Sequence, residues 1–258
     1  MTITLVGLVT QGDRETTKPL TALGGKSLFV KELQRALLNH DADFAVHSVK
    51  DLSVNDHPEL QLAAICEREE ARDAFISSSY NTLNELPVGA IVGTASPRRK
   101  SLLLSKRPDL NVTLLRGNVG TRLQKLDDGH YDAIILAGAG VKRLGLDSRI
   151  RECLDPTWFV PAIGQGALGL ECRQNDKTTQ ALLEHLHHLE TAQCVLAERA
   201  VNQVIGGDCH TPIGAHAKIT NHQLSLTAIV GETNGRVILK ASAEGGPEQA
   251  GSLGSTVA

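Results

Sequence analysis

Short apolar runs alternate with longer stretches whose apolar residues recur every third or fourth position, and this alternation most constrains what the chain can become. A run that is apolar end to end suits a strand buried on both faces. A three-to-four spacing suits a helix that covers such a sheet. Ile3–Val9 reads as a strand, and Ser27–Asn39 as a helix with Leu28, Phe29, Leu33 and Leu37 at core-facing positions. Strands follow near Phe44–His47, Leu60–Ile65 and Ala74–Ser77. From Ala90 the alternation is cleaner. Strand Ala90–Ala95 leads to helix Pro97–Ser105, and strand Val112–Leu115 to helix Val119–Leu126. Strand Tyr131–Ala137 leads to a helix that stops near Gly145. Repeated strand–helix units predict parallel sheets covered by helices.

The pattern changes after about Glu190. Helix Thr191–Val204 ends at Gly206-Gly207, and three strand-like runs follow: Ala215–Ile219, Leu224–Val230 and Val237–Ala241. Asn234-Gly235 is a tight-hairpin signal between the last two. A Gly/Ser-rich tail at 245–255 reads as low complexity. The expected architecture is two α/β lobes followed by a small α+β domain with an antiparallel three-stranded sheet.

Composition removes several function classes. Aromatics make up 3% and the net charge is −3, which argues against a base-stacking or bulk DNA-binding surface. No run reaches the ~20 apolar residues that span a bilayer. The start, Met1–Val9, has neither a basic leader nor a small-residue cleavage site, so it is not read as a signal peptide. The five cysteines (Cys66, Cys153, Cys172, Cys194, Cys209) are widely spaced without a C-x-x-C pair, a pattern that suits reduced thiols in the cytoplasm.

Three constellations carry chemistry. The first is basic: Ala95-Ser-Pro-Arg-Arg-Lys100 and Leu115-Arg-Gly-Asn-Val-Gly-Thr-Arg122 each lie where a strand hands over to a helix. Ligands of open α/β sheets bind at the carboxyl ends of strands, where helix N-termini add N–H donors. Arg98, Arg99, Arg116 and Arg122 are therefore candidates to hold a polyanion; solvated helix-start arginines are the alternative. The second is Val46-His-Ser-Val-Lys-Asp51, which gathers an acid, a base and a hydroxyl at another strand end. It reads equally as a site carboxylate, Asp51, or as a capped helix start with a surface ion pair. The third is Gly206-Gly-Asp-Cys-His-Thr-Pro-Ile-Gly214. Cys209 there is either an accessible thiol favoured as thiolate by His210 or a small buried hydrophobe. Other motifs fail. Gly25-Lys-Ser27 lacks the first glycine of a P-loop because position 20 is Leu20, and Gly138-Ala-Gly140 is followed by Arg143 where a dinucleotide fingerprint needs a small residue. Glu184-His-Leu-His-His188 has metal-ligand spacing but reads as a charged helix face, so no metal is expected.

Together these segments resemble the porphobilinogen deaminases along essentially the whole chain. The matching motifs are Gly24-Gly-Lys-Ser-Leu-Phe-Val-Lys-Glu32, Val46-His-Ser-Val-Lys-Asp51, Ile65-Cys-Glu-Arg-Glu69, Arg72-Asp-Ala-Phe75 and Gly93-Thr-Ala-Ser-Pro-Arg-Arg99. They continue with Leu115–Arg122, Tyr131-Asp-Ala-Ile-Ile-Leu136, Pro161-Ala-Ile-Gly-Gln-Gly166 and the Cys209 loop. The resemblance implies two periplasmic-binding-protein-like α/β lobes, 1–68 with 167–188 and 72–160, and a cofactor-attachment domain at 189–258. It implies a transferase that condenses four porphobilinogens into hydroxymethylbilane, releasing ammonia, in the cytoplasmic making of haem and other tetrapyrroles. A dipyrromethane cofactor on Cys209 would be contacted by Lys50, Asp51, Ser96, Arg98, Arg99 and Gly166. Asp51 would be the catalytic carboxylate, and Lys26, Phe29, Arg68, Arg116, Arg122 and Gln165 would bind substrate. A monomer, without nucleic-acid or membrane partners, is what the resemblance suggests.

The chain also departs from the family pattern. It starts at what resembles the second strand, without the first strand–helix unit, and stops where a final helix should run. Ala22 stands where relatives carry a lysine in the active-site loop. These departures predict an unstable or weakly active chain, since losing a central strand exposes apolar faces and unpaired backbone. An inactive remnant and a non-catalytic two-lobed anion-binding protein are the rival readings.

Overall fold

The computed structural model describes residues 2–10, 30–53, 57–207 and 211–258. The first part of the helix expected from Ser27 lies outside them, as do Ala22, Lys26, Phe29, Cys209 and His210.

The first lobe is a three-stranded sheet in the order β1-β8-β2, where β1 is Phe44–Ser48, β2 Leu60–Ile65 and β8 Leu168–Arg173. Helices α1 (Lys31–Leu38) and α5 (Lys177–Glu184) pack on it. The second lobe is a five-stranded sheet, β5-β4-β6-β3-β7. Its strands are β3 (Asp73–Ile76), β4 (Ile91–Gly93), β5 (Asn111–Thr113), β6 (Ala133–Ala137) and β7 (Glu152–Cys153), and its helices are α2 (Pro97–Lys106), α3 (Val119–Asp127) and α4 (Gly138–Arg143). Side-chain alternation fills both faces. Phe75 and Ile135 join the α2-side core with Leu102 and Leu103, while Ile76, Ile134 and Leu136 join the α3-side core with Leu123 and Leu126. That two-sided burial is why Ala133–Ala137 is apolar throughout.

The third unit packs α6 (Leu189–Ile205) and α7 (Ala250–Val257) on an antiparallel sheet of β9 (Ile213–Thr220), β10 (Gln223–Gly231) and β11 (Ile238–Gly245). Leu224, Leu226 and Ala228 point inward, and the alternate residues Ser225 and Thr227 point outward. Asn221 and His222 both take positive φ in the two-residue β9–β10 turn, whose hand matches the strand twist. The unit is docked onto the second lobe. Ile229 enters that lobe's core, and Ser101 Oγ donates to the Glu232 carbonyl at 2.6 Å.

Four expectations need correction. Among the described residues parallel pairing is confined to β4 with its neighbours β5 and β6. Strands β8 and β3 both pair antiparallel, because each enters its sheet from a segment that crosses between lobes. Ile3–Val9 is not a strand: no described strand pairs with it, and Leu5 is 93% exposed. The Gly/Ser-rich tail, low in complexity as a sequence, folds into strand end and helix, and α7 stands where the chain is expected to stop short of a final helix. Ala250, Leu253 and Val257 face α6 at helical spacing, and small Gly254 lets the backbones approach.

Candidate functional site

The two lobes and the third unit meet at one cavity of about 190 Å³. From the first lobe, β1 runs into a single 3-10 turn, Val49–Asp51, that sets Lys50 and Asp51 on the wall. The turn is anchored by Val49 N–H donating to the Ala167 carbonyl at 3.1 Å. From the second lobe comes the N-terminus of α2: Ser96 is the cap, its hydroxyl accepting from Arg99 N–H at 3.4 Å, and Pro97 occupies a position where a missing N–H costs nothing. Ala162, Ile163 and Gln165 of the crossing segment and Asn202, Gly207, Thr211 and Ile213 of the third unit complete the lining. Gly206, with φ +69°, ends α6 three positions before Cys209 in the sequence.

Arg98 and Arg99 are not free to meet an anion with full charge. Both are buried beside Asp73, a carboxylate with 0% exposure at the start of β3. Arg98 donates to Asp73 Oδ2 and to the Val160 carbonyl, at 2.8 and 2.7 Å. Arg99 Nε donates to Asp73 Oδ1 at 2.8 Å and its Nη1 to the Ile135 carbonyl at 3.0 Å. Gln165 Nε2 adds a bond to Asp73 Oδ1 at 3.1 Å. Burial pushes the Asp73 carboxyl up, but the two guanidiniums and Gln165 outweigh it and hold the pKa below the usual range. The triad therefore carries one net positive charge. Within the Arg72-Asp-Ala-Phe75 motif Asp73 has no role assigned by the sequence, yet an acid opening an apolar strand is a signal, since a buried carboxylate requires partners.

Around the triad the field is positive. Burial lowers the Arg122 pKa to about 10, with repulsion from Arg99 and Arg116 adding to it and Asp51 opposing it. Burial likewise lowers the Lys50 pKa against the pull of Asp51, with Arg99 and Arg122 contributing. Arg116, 6% exposed, thus belongs to the same electrostatic cluster, though neither it nor Arg122 lines the cavity.

Arg68 is placed elsewhere. Its guanidinium meets Glu198 of α6, Nη1 to Oε1 at 2.6 Å and Nη2 to Oε2 at 3.2 Å, while Nε donates to the Gln165 carbonyl. Glu198 also accepts from Gly164 N–H at 2.7 Å and Ala217 N–H at 2.8 Å. Burial pushes this carboxyl up, but Arg68 and His216 overcome it and bring the pKa to about 2. Gly166, with φ +90°, also serves packing: a Cβ there would sit 2.5 Å from the Glu69 carbonyl oxygen. The charged helix face expected over Glu184–His188 does not form: α5 ends at Glu184, and in the connection to α6 His187 Nδ1 accepts from Ile65 N–H of β2 while His188 caps α6.

The family model described as porphobilinogen deaminase, dipyromethane cofactor binding domain, matches residues 1–181, and the model of the porphobilinogen deaminase C-terminal domain matches 192–258. The chain belongs to the porphobilinogen deaminase family. The porphobilinogen deaminases of Coxiella burnetii strains Dugway 5J108-111 and RSA 493 are each 55% identical over 254 residues, 98% of this chain and 82% of theirs. Among solved structures, a periplasmic substrate-binding protein from Coxiella burnetii has a TM-score of 0.41 at 17% identity, covering 62% of this chain and 79% of its own. A YaeC-family lipoprotein from Enterococcus faecalis has a TM-score of 0.40 at 17% identity, covering 59% and 74%.

The porphobilinogen deaminase cofactor named by that model has a place to bind. Arg98 Nε and Asn202 Oδ1 are buried in residues lining the cavity and have no hydrogen-bond partner among the described residues. A dipyrromethane brings carboxylates for the first and pyrrole N–H groups for the second, so the residues present fit it.

Proposed function

We propose that this chain condenses porphobilinogen into hydroxymethylbilane at the cavity where its three units meet, with Asp51 as the catalytic carboxylate and Cys209 as the attachment point of the dipyrromethane. The observation that carries this is the shared wall: Asp51, the Asp73-bound arginines and both flanks of the Cys209 loop, Gly207 and Thr211, line one cavity. When bound, the dipyrromethane supplies the nucleophilic pyrrole carbon. Asp51 is fixed by the turn at the end of β1, where a preorganised carboxylate stabilises positive charge developing on the substrate as ammonia leaves. Lys50, Ser96, Arg98, Arg99 and Gln165 hold the acidic side chains and keep the rings in place, and Arg116 and Arg122 extend the positive field towards incoming substrate. Gly166 and Arg68 act through packing, by setting the crossing segment and α6. Lys26 and Phe29 remain substrate-binding candidates on the family resemblance.

The finer organisation belongs to the same proposal: lobes at 1–68 with 167–188 and at 72–160, a cofactor domain at 189–258, and a monomer working in the cytoplasm. Among the described residues no helix is long and apolar enough to cross a membrane.

Intact mass of the purified chain before and after incubation with porphobilinogen, beside Cys209→Ser, tests the reading. A resident two-pyrrole adduct that grows by single pyrroles and is lost in the variant is expected. Reversible binding of porphobilinogen with no covalent adduct in either protein would overturn it in favour of a non-catalytic anion-binding protein.

A further inference from the structure

Buried polar side chains in folded proteins are almost always hydrogen-bonded, so the exceptions point to missing partners. Among the described residues, three besides Glu32 retain an unpartnered buried polar atom: Arg98, Asn202 and His216. His216 Nδ1 lies 3.7 Å from Glu198 Oε1, a near neighbour that accounts for it. The other two line the cavity, and only Asn202 has no charge partner to explain its burial.

Asn202 sits on α6, one turn before the helix ends, and is 4% exposed. Its backbone carbonyl is used by the cap, accepting from Gly206 N–H at 2.9 Å. Its side-chain oxygen lies against Gly207: a Cβ there would sit 3.0 Å from Asn202 Oδ1, so any larger residue would crowd that oxygen. Asparagine is a poor helix residue, and its amide oxygen is desolvated here without return from the described residues.

We propose that Asn202 is a further cofactor-holding residue, its Oδ1 accepting a hydrogen bond from a pyrrole N–H of the dipyrromethane. The inference rests on the function proposed above. The choice of N–H follows from the inventory of donors. The ionised acetate and propionate groups of a pyrrole ring only accept, so its ring N–H groups are the donors available to an amide oxygen. Asp51 approaches from the first lobe and Asn202 from the third unit, so the rings would be held from two sides.

The test uses the full chain made by cell-free translation without porphobilinogen, as Asn202→Leu and Asn202→Asp beside the native sequence. Pyrrole uptake is followed by intact mass, and Tm is recorded before and after loading. Leu removes the acceptor at similar size, so the unloaded protein should melt at the native temperature or slightly higher. Uptake should slow about tenfold, and the rise in Tm on loading should shrink by about 3 °C, as expected for one lost hydrogen bond. Asp keeps an acceptor and should retain most of both. Three results would overturn the assignment: native loading by Asn202→Leu, a lower Tm of that variant before loading, or an equal loss in Asn202→Asp. Failure of the native chain to take up pyrroles would instead defeat the proposed function.

Discussion

Replacing Glu198 with glutamine should be among the most damaging single-atom changes available to this chain. The carboxylate receives four donors, two on each oxygen: Gly164 N–H and Arg68 Nη2 at Oε2, Ala217 N–H and Arg68 Nη1 at Oε1. Whichever oxygen becomes an amide nitrogen loses both of its donors, and Arg68 is left with no negative partner there. Removing one member of a buried ion pair costs about 3–5 kcal/mol. The pKa leads to a similar figure, since holding a carboxyl at about 2 rather than the usual 4.5 corresponds to about 3 kcal/mol. For a chain of this length that is a fall in Tm of roughly 6–12 °C. Calorimetry at neutral pH reads it directly. The sign with pH is fixed: the folded pKa is the lower one, so this stabilisation is present above about pH 4.5 and is lost as the pH falls towards 2. Glu198→Gln should therefore flatten the acid side of the native stability profile. A variant that melts within about 1 °C of native, or that loses stability between pH 4.5 and 2 as steeply as native, would refute the reasoning. Glu198→Leu combined with Arg68→Met should recover part of the loss, because an apolar pair leaves no charge stranded.

Asp73→Asn should cost about 3–5 kcal/mol in urea denaturation by leaving Arg98 and Arg99 buried without a counter-charge; a midpoint unchanged from native would show that the triad does not hold the second lobe to the crossing segment. Gly166→Ala meets both a positive φ and the Glu69 carbonyl oxygen, so a loss of at least about 2 kcal/mol is expected by thermal melting, and a neutral result would mean the crossing segment yields freely. Asp51→Asn should lower kcat about 10²–10³-fold while leaving the adduct on Cys209 detectable by mass; near-native turnover would remove Asp51 from the chemistry.

Much of the fold was legible where periodicity and capping agree. The apolar run Ala133–Ala137, the Ser96-Pro97 helix start and the glycine at the end of α6 each have a local cause visible in the sequence. Local signals failed where the outcome depends on what lies across the gap. Ile3–Val9 has the residues of a strand, but a strand forms only against another strand. The tail has poor helix formers, yet α7 is kept by α6, whose surface no local propensity registers. The site divided in the same way. The arginines at the α2 start were readable as a charged helix beginning, but their neutralisation by Asp73 is a contact across the β3 end of the sheet. Arg68 was readable as a cation in a matching motif, but its engagement with Glu198 spans 130 positions. Asn202 gave no signal, because an unpaired amide becomes visible only once its surroundings are known.

The Asp73 triad bears on how a growing product stays in place. Among the described residues, five cationic side chains, Lys50, Arg98, Arg99, Arg116 and Arg122, surround Asp51 and Asp73, which leaves a surplus of three positive charges. Two pyrroles already carry four carboxylates, and every further unit adds two more. Coulomb attraction from these groups is therefore saturated before the first condensation, and each later one works against it. On the proposed function, retention of the lengthening chain would then fall to the covalent bond, and severing that bond would be enough to let the finished molecule go.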